Sequence, residues 1–376
     1  MNLKVVELFA GIGSQYKSLK NLGVNVEVVG ISEWDIPCLI NYNAIHHQVE
    51  ECDLDKDEIL ERLKGFTFSS DGKNETDIKR LNVDKLRKLY VANRNNKNLG
   101  SILDIKGADI PKHDLLTYSF PCQDLSNQGK GRGLYDGKSS SLLWEVGRLM
   151  DELNDLNNLP KYLLMENVPS IFNDKHKEGF DLWKNKLIGL GYKNWDFKLK
   201  SSYFNIPQNR ERAYMISILN GNDNDFIIPQ QKNLTDLRIK DIIDTDVDEK
   251  FYMNDMEKFF PQKIDVLHTN NGIRGFNLEG YTKFTSEKKV FYTDSISPTI
   301  TATGAQSKIK IMLPNGKIRI LTPKECWKLM GFTEEDFNKA DKSFPDSILT
   351  KLAGNSIVVN VLEAIFTNLF NKKTLD

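Results

Sequence analysis

The stretch from Val5 to Trp34 constrains the fold more than any other. Val5-Val6-Glu7-Leu8-Phe9-Ala10-Gly11-Ile12-Gly13-Ser14-Gln15 reads as a buried strand, a glycine turn and the start of a helix carrying Tyr16, Leu19 and Leu22. Val26 to Ile31 is a second strand, ending at Ser32-Glu33-Trp34. Such a unit opens an α/β sheet, in which ligands sit beyond the carboxyl ends of the strands. A dinucleotide fingerprint would need a third glycine at position 16, and Tyr16 stands there. The turn therefore suits an adenosine-type ligand without phosphates. Glu33 can accept from the ribose hydroxyls, and Trp34 or Phe9 can cover the adenine face. The same spacing also fits Glu33 as a helix cap and Trp34 as core.

Later strands end in reactive groups. Ile102-Leu103-Asp104-Ile105 presents an acid that can receive an adenine amino group or cap a helix. His113 to Phe120 is a strand leading into Pro121-Cys122-Gln123-Asp124-Leu125-Ser126 and a run punctuated by Gly129, Gly131, Gly133 and Gly137. A cysteine that follows a proline at a strand end can expose an activated thiolate, although a loop cysteine without a role fits the same pattern. Lys161 to Pro169 is a buried strand ending in Glu166-Asn167, where desolvation can lift a carboxyl pKa toward the working pH. Phe197 to Leu199 and Ala213 to Ile218 complete the sheet. Between them, Gln208, Arg210 and Arg212 alternate and would share one face of an extended segment. Two arginines there would be costly to bury without an anionic partner, which points to a site edge, although a surface accident fits the same pattern.

After Asn220 the alternation of strand and helix lapses. Residues 223 to 258 hold ten acids and five bases, whereas 274 to 319 hold eight bases and three acids, so the second segment can face phosphates. It carries Arg274, Tyr281, Phe284, Phe291, Tyr292 and Lys308, and the small polar run Thr299 to Ser307 suits backbone and base-edge contacts. A plain β-rich domain with a solvated basic face would look similar. Residues 50 to 98 form a charged, helical insertion to which no chemistry is assigned. Thr322-Pro323-Lys324-Glu325 predicts a capped helix that ends at Gly331, and Gly354 to Phe366 predicts a last helix returning to the first domain. Cys38, Cys52, Cys122 and Cys326 make no C-x-x-C pair, so neither a metal site nor a disulfide framework is expected. No apolar run approaches the roughly 20 residues that span a bilayer. The net charge of -1 argues against indiscriminate coating of nucleic acid. A cytoplasmic protein is expected.

Six segments, Phe9-Ala10-Gly11-Ile12-Gly13, Pro121-Cys122-Gln123, Glu166-Asn167-Val168, Gln208 to Arg212, Leu321 to Glu325 and Gly354-Asn355-Ser356, span nearly the whole chain. In that order they resemble the C5-cytosine DNA methyltransferase family, in particular the bacterial enzymes of mollicutes and their relatives. The resemblance implies a doubly wound, Rossmann-like α/β sheet that binds S-adenosylmethionine (1–216), a smaller β-rich target-recognition domain (217–320) and a C-terminal segment returning to the first domain (321–376). It implies Cys122 as the nucleophile that attacks C6 of a flipped-out cytosine, Glu166 at N3, and Arg210 and Arg212 as residues that orient the base. Phe9, Gly11, Gly13, Glu33, Trp34, Asp104, Ile105, Pro121, Asn355 and Ser356 would hold S-adenosylmethionine and its product S-adenosylhomocysteine. Gln123, Ser126, Gln208, Arg274, Thr301, Thr303, Gly304 and Lys308 would contact double-stranded DNA. A bacterial, nucleoid-associated monomer needing neither metal nor membrane is expected. Its partner, where one exists, would be a restriction endonuclease that reads the same word. RNA cytosine methylation and a catalytically silent DNA-binding protein of the same fold are the competing readings.

Overall fold

The computed structural model describes residues 2–48, 50–121, 141–261, 267–268, 272–304 and 307–370, the side chains of 141, 267 and 268 excepted. In chain order its strands are β1 (Leu3–Leu8), β2 (Val26–Ser32), β3 (Leu115–Tyr118), β4 (Tyr162–Asn167), β5 (Tyr192–Lys200), β6 (Gln208–Asn209) and β7 (Glu211–Leu219). There follow β8 (Tyr252–Met253), β9 (Leu267–His268), β10 (Arg274–Asn277), β11 (Lys289–Tyr292), β12 (Ser297–Pro298), β13 (Lys310–Met312) and β14 (Ile318–Ile320).

The first sheet has the order β2-β1-β3-β4-β7-β5. Neighbours from β2 through β4 are parallel, and β7 runs antiparallel to β4. Val5, Val6, Leu8, Leu115, Leu116, Leu163, Leu164 and Met165 are all buried, so successive residues face apolar cover on both sides. One layer of that cover is the helix Ser141–Asp155, whose Leu143, Val146, Leu149 and Leu153 pack with Trp183 and Leu187 of the helix Asp174–Gly189. Each such side chain contributes about 1.5–3 kcal/mol of burial. Four further helices, α1 (Ser14–Asn21), α2 (Ile36–His46), α3 (Lys56–Arg62) and α4 (Val83–Asn95), belong to the N-terminal half. The last two fill the insertion expected between 50 and 98.

The chain divides into two compact units. Unit 1 comprises 1–199, 211–229 and 362–376; unit 2 comprises 200–210 and 230–361. This differs from the boundaries expected at 216 and 320. Residues 321–361 join unit 2 because Glu325, on the helix Pro323–Lys328, makes a wholly buried ion pair with Arg319 of β14 (2.6 Å). Trp327 of the same helix donates Nε1–H to Leu349 O at 2.8 Å. Strand and helix patterns identify elements but not the core each one joins. Unit 2 holds a sheet of order β8-β14-β13-β11-β10-β9 and the pair β12-β6, over a core of Met256, Phe276, Leu278, Val290 and Ile318.

The capping box at Thr322 forms as the sequence predicts, with Glu325 at N3 and Pro323 inside the first turn. The last predicted helix does not form as one piece: Asp346–Asn355 ends at Ser356, and a new helix, Val359–Leu369, begins after it. The apolar stretch Asp346–Leu369 is thus two short helices, and most of it is buried within the protein.

Candidate functional site

The candidate cofactor site of unit 1 is built at the ends of β1 and β2. Beyond β1 the backbone turns through three left-handed residues, Phe9 (φ 57°), Gly11 (φ 58°) and Gly13 (φ 76°). The turn is fastened to β2: Phe9 N–H donates to Ser32 O (2.8 Å), and Gly11 N–H donates to Glu33 Oε2 (2.9 Å). Glu33 Oε1 accepts from the Trp34 and Asp35 amides, both at 2.8 Å. A carboxylate has about four acceptor positions. Three are taken by described residues. Burial, and then the neighbouring Asp35, push the Glu33 carboxyl up to about 7, against the pull of the three amides.

Asn98 holds Glu33 from the other side. It accepts from Glu33 N–H (3.1 Å) and donates to Glu33 O (3.0 Å). The helical insertion therefore delivers a residue that pins the predicted ribose acceptor, a role with no periodic signature in the sequence. Asp104 is exposed on a turn braced by Arg148, whose guanidinium donates to Ile102 O (3.2 Å) and Ile105 O (3.0 Å). Ile105 itself is 3% exposed and its side chain belongs to the core. Its carbonyl accepts from Arg148.

At the ends of β3 and β4, Asn167 Nδ2–H donates to Phe120 O at 3.1 Å, which fixes the strand end from which Pro121 emerges exposed. Glu166 lies one residue before Asn167. Its Oε1 is 3.3 Å from Arg212 Nε, and the two side chains retain 12% and 16% exposure. In the β4–β7 register Glu166 pairs with Tyr214. Arg212 is thus the diagonal neighbour on the same face, where long side chains meet. Cys122, Gln123 and Ser126 lie outside the described residues.

Gln208, Arg210, Arg274, Thr301, Thr303, Gly304, Lys308, Asn355 and Ser356 belong to unit 2. Gln208 and Arg210 belong to unit 2 and Arg212 to unit 1, since the chain passes from one unit to the other after Arg210. Gln208 is fully buried; its amide donates to Leu329 O (2.8 Å) and accepts from Ile300 N–H (2.9 Å). Arg210 is 4% exposed and donates to Ile300 O (2.8 Å), Gly354 O (3.1 Å) and Ser356 O (3.0 Å). Those donors bind backbone carbonyls in the interior of unit 2.

Ser356 is spent in the same way, its hydroxyl donating to Leu352 O (2.7 Å) and its carbonyl receiving Arg210, while Asn355 is exposed. Gly354 packs so tightly that a Cβ would lie 2.4 Å from Ala302 N. Thr301 through Gly304, with Lys308, lead into β13 at the end of the sheet where Val290 pairs with Lys310. The β10–β11 connection, with Lys283 and Phe284, lies at that same end, since Lys310 Nζ donates to Glu287 O (2.8 Å). Arg274 starts β10 at the opposite end and pairs with Asp294, so it does not join the Thr301–Lys308 group.

The family described as C-5 cytosine-specific DNA methylase matches residues 68–371. The chain belongs to this family. It is 39% identical to the type II methyltransferase M2.ScrFI of Lactococcus lactis subsp. cremoris, over 99% of this chain and 100% of that protein. It is 36% identical to the orphan methyltransferase M.SssI of Spiroplasma monobiae, over 98% and 97%. Among solved structures, the Entamoeba histolytica methyltransferase EhMeth shares the fold with a TM-score of 0.66 at 16% identity, covering 99% of each chain. The protein is thus a DNA cytosine-5 methyltransferase. Among the described residues of this methyltransferase, no group of three His, Cys, Asp or Glu side chains could hold a metal ion.

Proposed function

We propose that the chain transfers a methyl group from S-adenosylmethionine to C5 of a cytosine flipped out of one short double-stranded DNA word, through a covalent Cys122–C6 intermediate. The observation that carries this reading is the Glu166–Arg212 pair on one face of β4 and β7, beside the braced strand end that leads to Pro121-Cys122. C6 and C5 cannot be reached inside the base stack, so the target must leave it. The Cys122 thiolate adds to C6, and the C5=C6 electron pair moves toward N3, where Glu166 supplies a proton. Arg212 holds that carboxyl group in place by charge and direction. C5, now electron-rich, takes the methyl group as N3 returns its proton to Glu166; loss of the C5 proton to solvent water then re-forms the double bond and expels the Cys122 thiolate.

The cradle fits S-adenosylmethionine: it offers a carboxylate acceptor, the exposed acid Asp104 and apolar surface from Phe9 and Trp34. When bound, S-adenosylmethionine supplies an electrophilic methyl group; the chain's residues fix the ribose and the adenine. In unit 2, Thr301, Thr303, Gly304 and Lys308, with the β10–β11 connection, are the DNA-reading surface on this reading.

The test is expression of the protein and of Cys122→Ser in a methylation-free host, with 5-methylcytosine mapped by chemical-conversion sequencing. Modification of one short word that requires Cys122 is expected. A folded protein that binds S-adenosylhomocysteine but leaves genomic cytosine unmodified would favour RNA methylation or a silent binding role.

A further inference from the structure

The turn from Phe9 to Gly13 stores strain, since a phenylalanine at φ 57° costs on the order of 1–3 kcal/mol and persists only where its surroundings overdetermine it. One restraint is the β2 end with Ser32 and Glu33, already described. A second comes from behind, and the mechanism above does not use it. Glu7 of β1 is wholly buried; its Oε2 accepts from Tyr42 Oη–H at 2.7 Å and its Oε1 from Tyr16 N–H at 2.9 Å. Tyr42 and His46, one turn apart on α2, lie directly against the turn: a Cβ on Gly13 would fall 2.7 Å from Tyr42 Cε2 and 2.4 Å from His46 Nε2. His46 Nε2 is 3.0 Å from Ile12 O, which can only accept, so this nitrogen carries the proton. The Tyr16 ring closes the group, 5.0 Å from His46 and stacked with Tyr42 at 6.5 Å. The residue that breaks the dinucleotide fingerprint is thus a member of this clamp.

We propose that Glu7 and Tyr42 are positioning residues for the adenosyl cofactor, holding the Ile12–Tyr16 backbone in its binding conformation through Tyr16 N–H and the Tyr42 ring. This rests on the proposed cofactor reading of the same turn. Neither side chain reaches solvent, so both act through the backbone they hold. Releasing the clamp lets the turn relax toward less strained conformations that must be reordered on binding, which weakens affinity without touching the reacting atoms.

The experiment uses the full chain. S-adenosylhomocysteine is titrated calorimetrically into the wild type, Tyr42→Phe, Glu7→Gln and the double variant, and steady-state methylation is measured with each substrate varied in turn. Tyr42→Phe removes one hydroxyl and keeps the ring. It is expected to weaken S-adenosylhomocysteine binding about 10-fold, equivalent to about 1.4 kcal/mol. The KM for S-adenosylmethionine rises by a similar factor, while kcat and the KM for DNA stay within about twofold. Glu7→Gln shifts the same constants, and the double variant is no weaker than the worse single one, because both remove one interaction.

Unchanged S-adenosylhomocysteine affinity in folded Tyr42→Phe and Glu7→Gln overturns the proposal. So does a fall in kcat with KM unmoved, or a parallel loss in all constants that tracks the folded fraction. Should Tyr42→Phe not fold, Glu7→Gln alone decides. A wild-type protein that does not bind S-adenosylhomocysteine overturns the underlying cofactor reading, a result visible before any variant is compared.

Discussion

Substituting Arg210 by lysine separates two roles that the sequence motif leaves fused. If Arg210 binds the target base, the change slows methylation and leaves stability alone. If it braces unit 2, the order reverses. The structure gives the second outcome a magnitude. Three donor contacts, at 2.8, 3.1 and 3.0 Å, serve the carbonyls of Ile300, Gly354 and Ser356, and the side chain is 4% exposed. A planar fork can reach carbonyls on two separate segments; an ammonium on a flexible stem can reach one. Losing two charge-assisted bonds, each worth about 1.5–3 kcal/mol, predicts a destabilisation of about 3–6 kcal/mol. That is a large share of a typical domain's 5–15 kcal/mol. The assay is urea denaturation of the wild type and Arg210→Lys, followed by single-turnover methylation normalised to folded protein. The expected result is a midpoint shift with a turnover rate per folded molecule within a fewfold of wild type. An unshifted midpoint with methylation reduced a hundredfold would refute the bracing argument and return Arg210 to the base.

Two further outcomes follow from charge and exposure. Burial pushes the Glu7 carboxyl from 4.5 up to about 7, so between those values the folded protein holds a proton that the unfolded chain has released. Stability therefore falls as pH rises from about 4.5 to about 7, by about 3 kcal/mol from this group, and is flat above; Glu7→Gln should remove that slope in denaturation curves taken across the range. Phe284, 68% exposed on the β10–β11 connection, lies at the sheet end that carries Lys308. Phe284→Ala should weaken binding to cognate duplex about 10-fold, as expected for an aromatic that stacks on a base, while Ile188→Ala, 58% exposed in unit 1, should leave it unchanged; equal effects would refute a DNA-facing role.

The sequence was most legible where local chemistry decides structure. A capping box is a contact between residues three apart, so Thr322 and Glu325 announced it directly. The strand–turn–helix around Gly11 and Gly13 was equally plain, because positive φ leaves few alternatives to glycine. Legibility failed wherever a side chain's partner lies far along the chain. Nothing near Glu7 points to Tyr42, nothing near Glu33 points to Asn98, and the boundary at residue 320 missed a helix tied to β14 by Arg319.

Gln208, Arg210 and Arg212 show how one alternating segment can serve two sheets. Alternation along an extended chain does place such residues on one face, but only while the segment stays in one sheet. Here β6 pairs with β12 and β7 with β4, and the unit boundary falls between Arg210 and Glu211. Arg210 is therefore drawn into backbone carbonyls while Arg212, two residues on, is left beside Glu166 with 16% of its side chain exposed. A guanidinium with bound, inward-facing partners can fix a fold, and one at a strand end with a single carboxylate partner can still answer to a substrate's charge. The same residue type at the same spacing thus divides between architecture and chemistry according to the sheet that receives it. Exchanging lysine for arginine at each position in turn should move stability at 210 and turnover at 212.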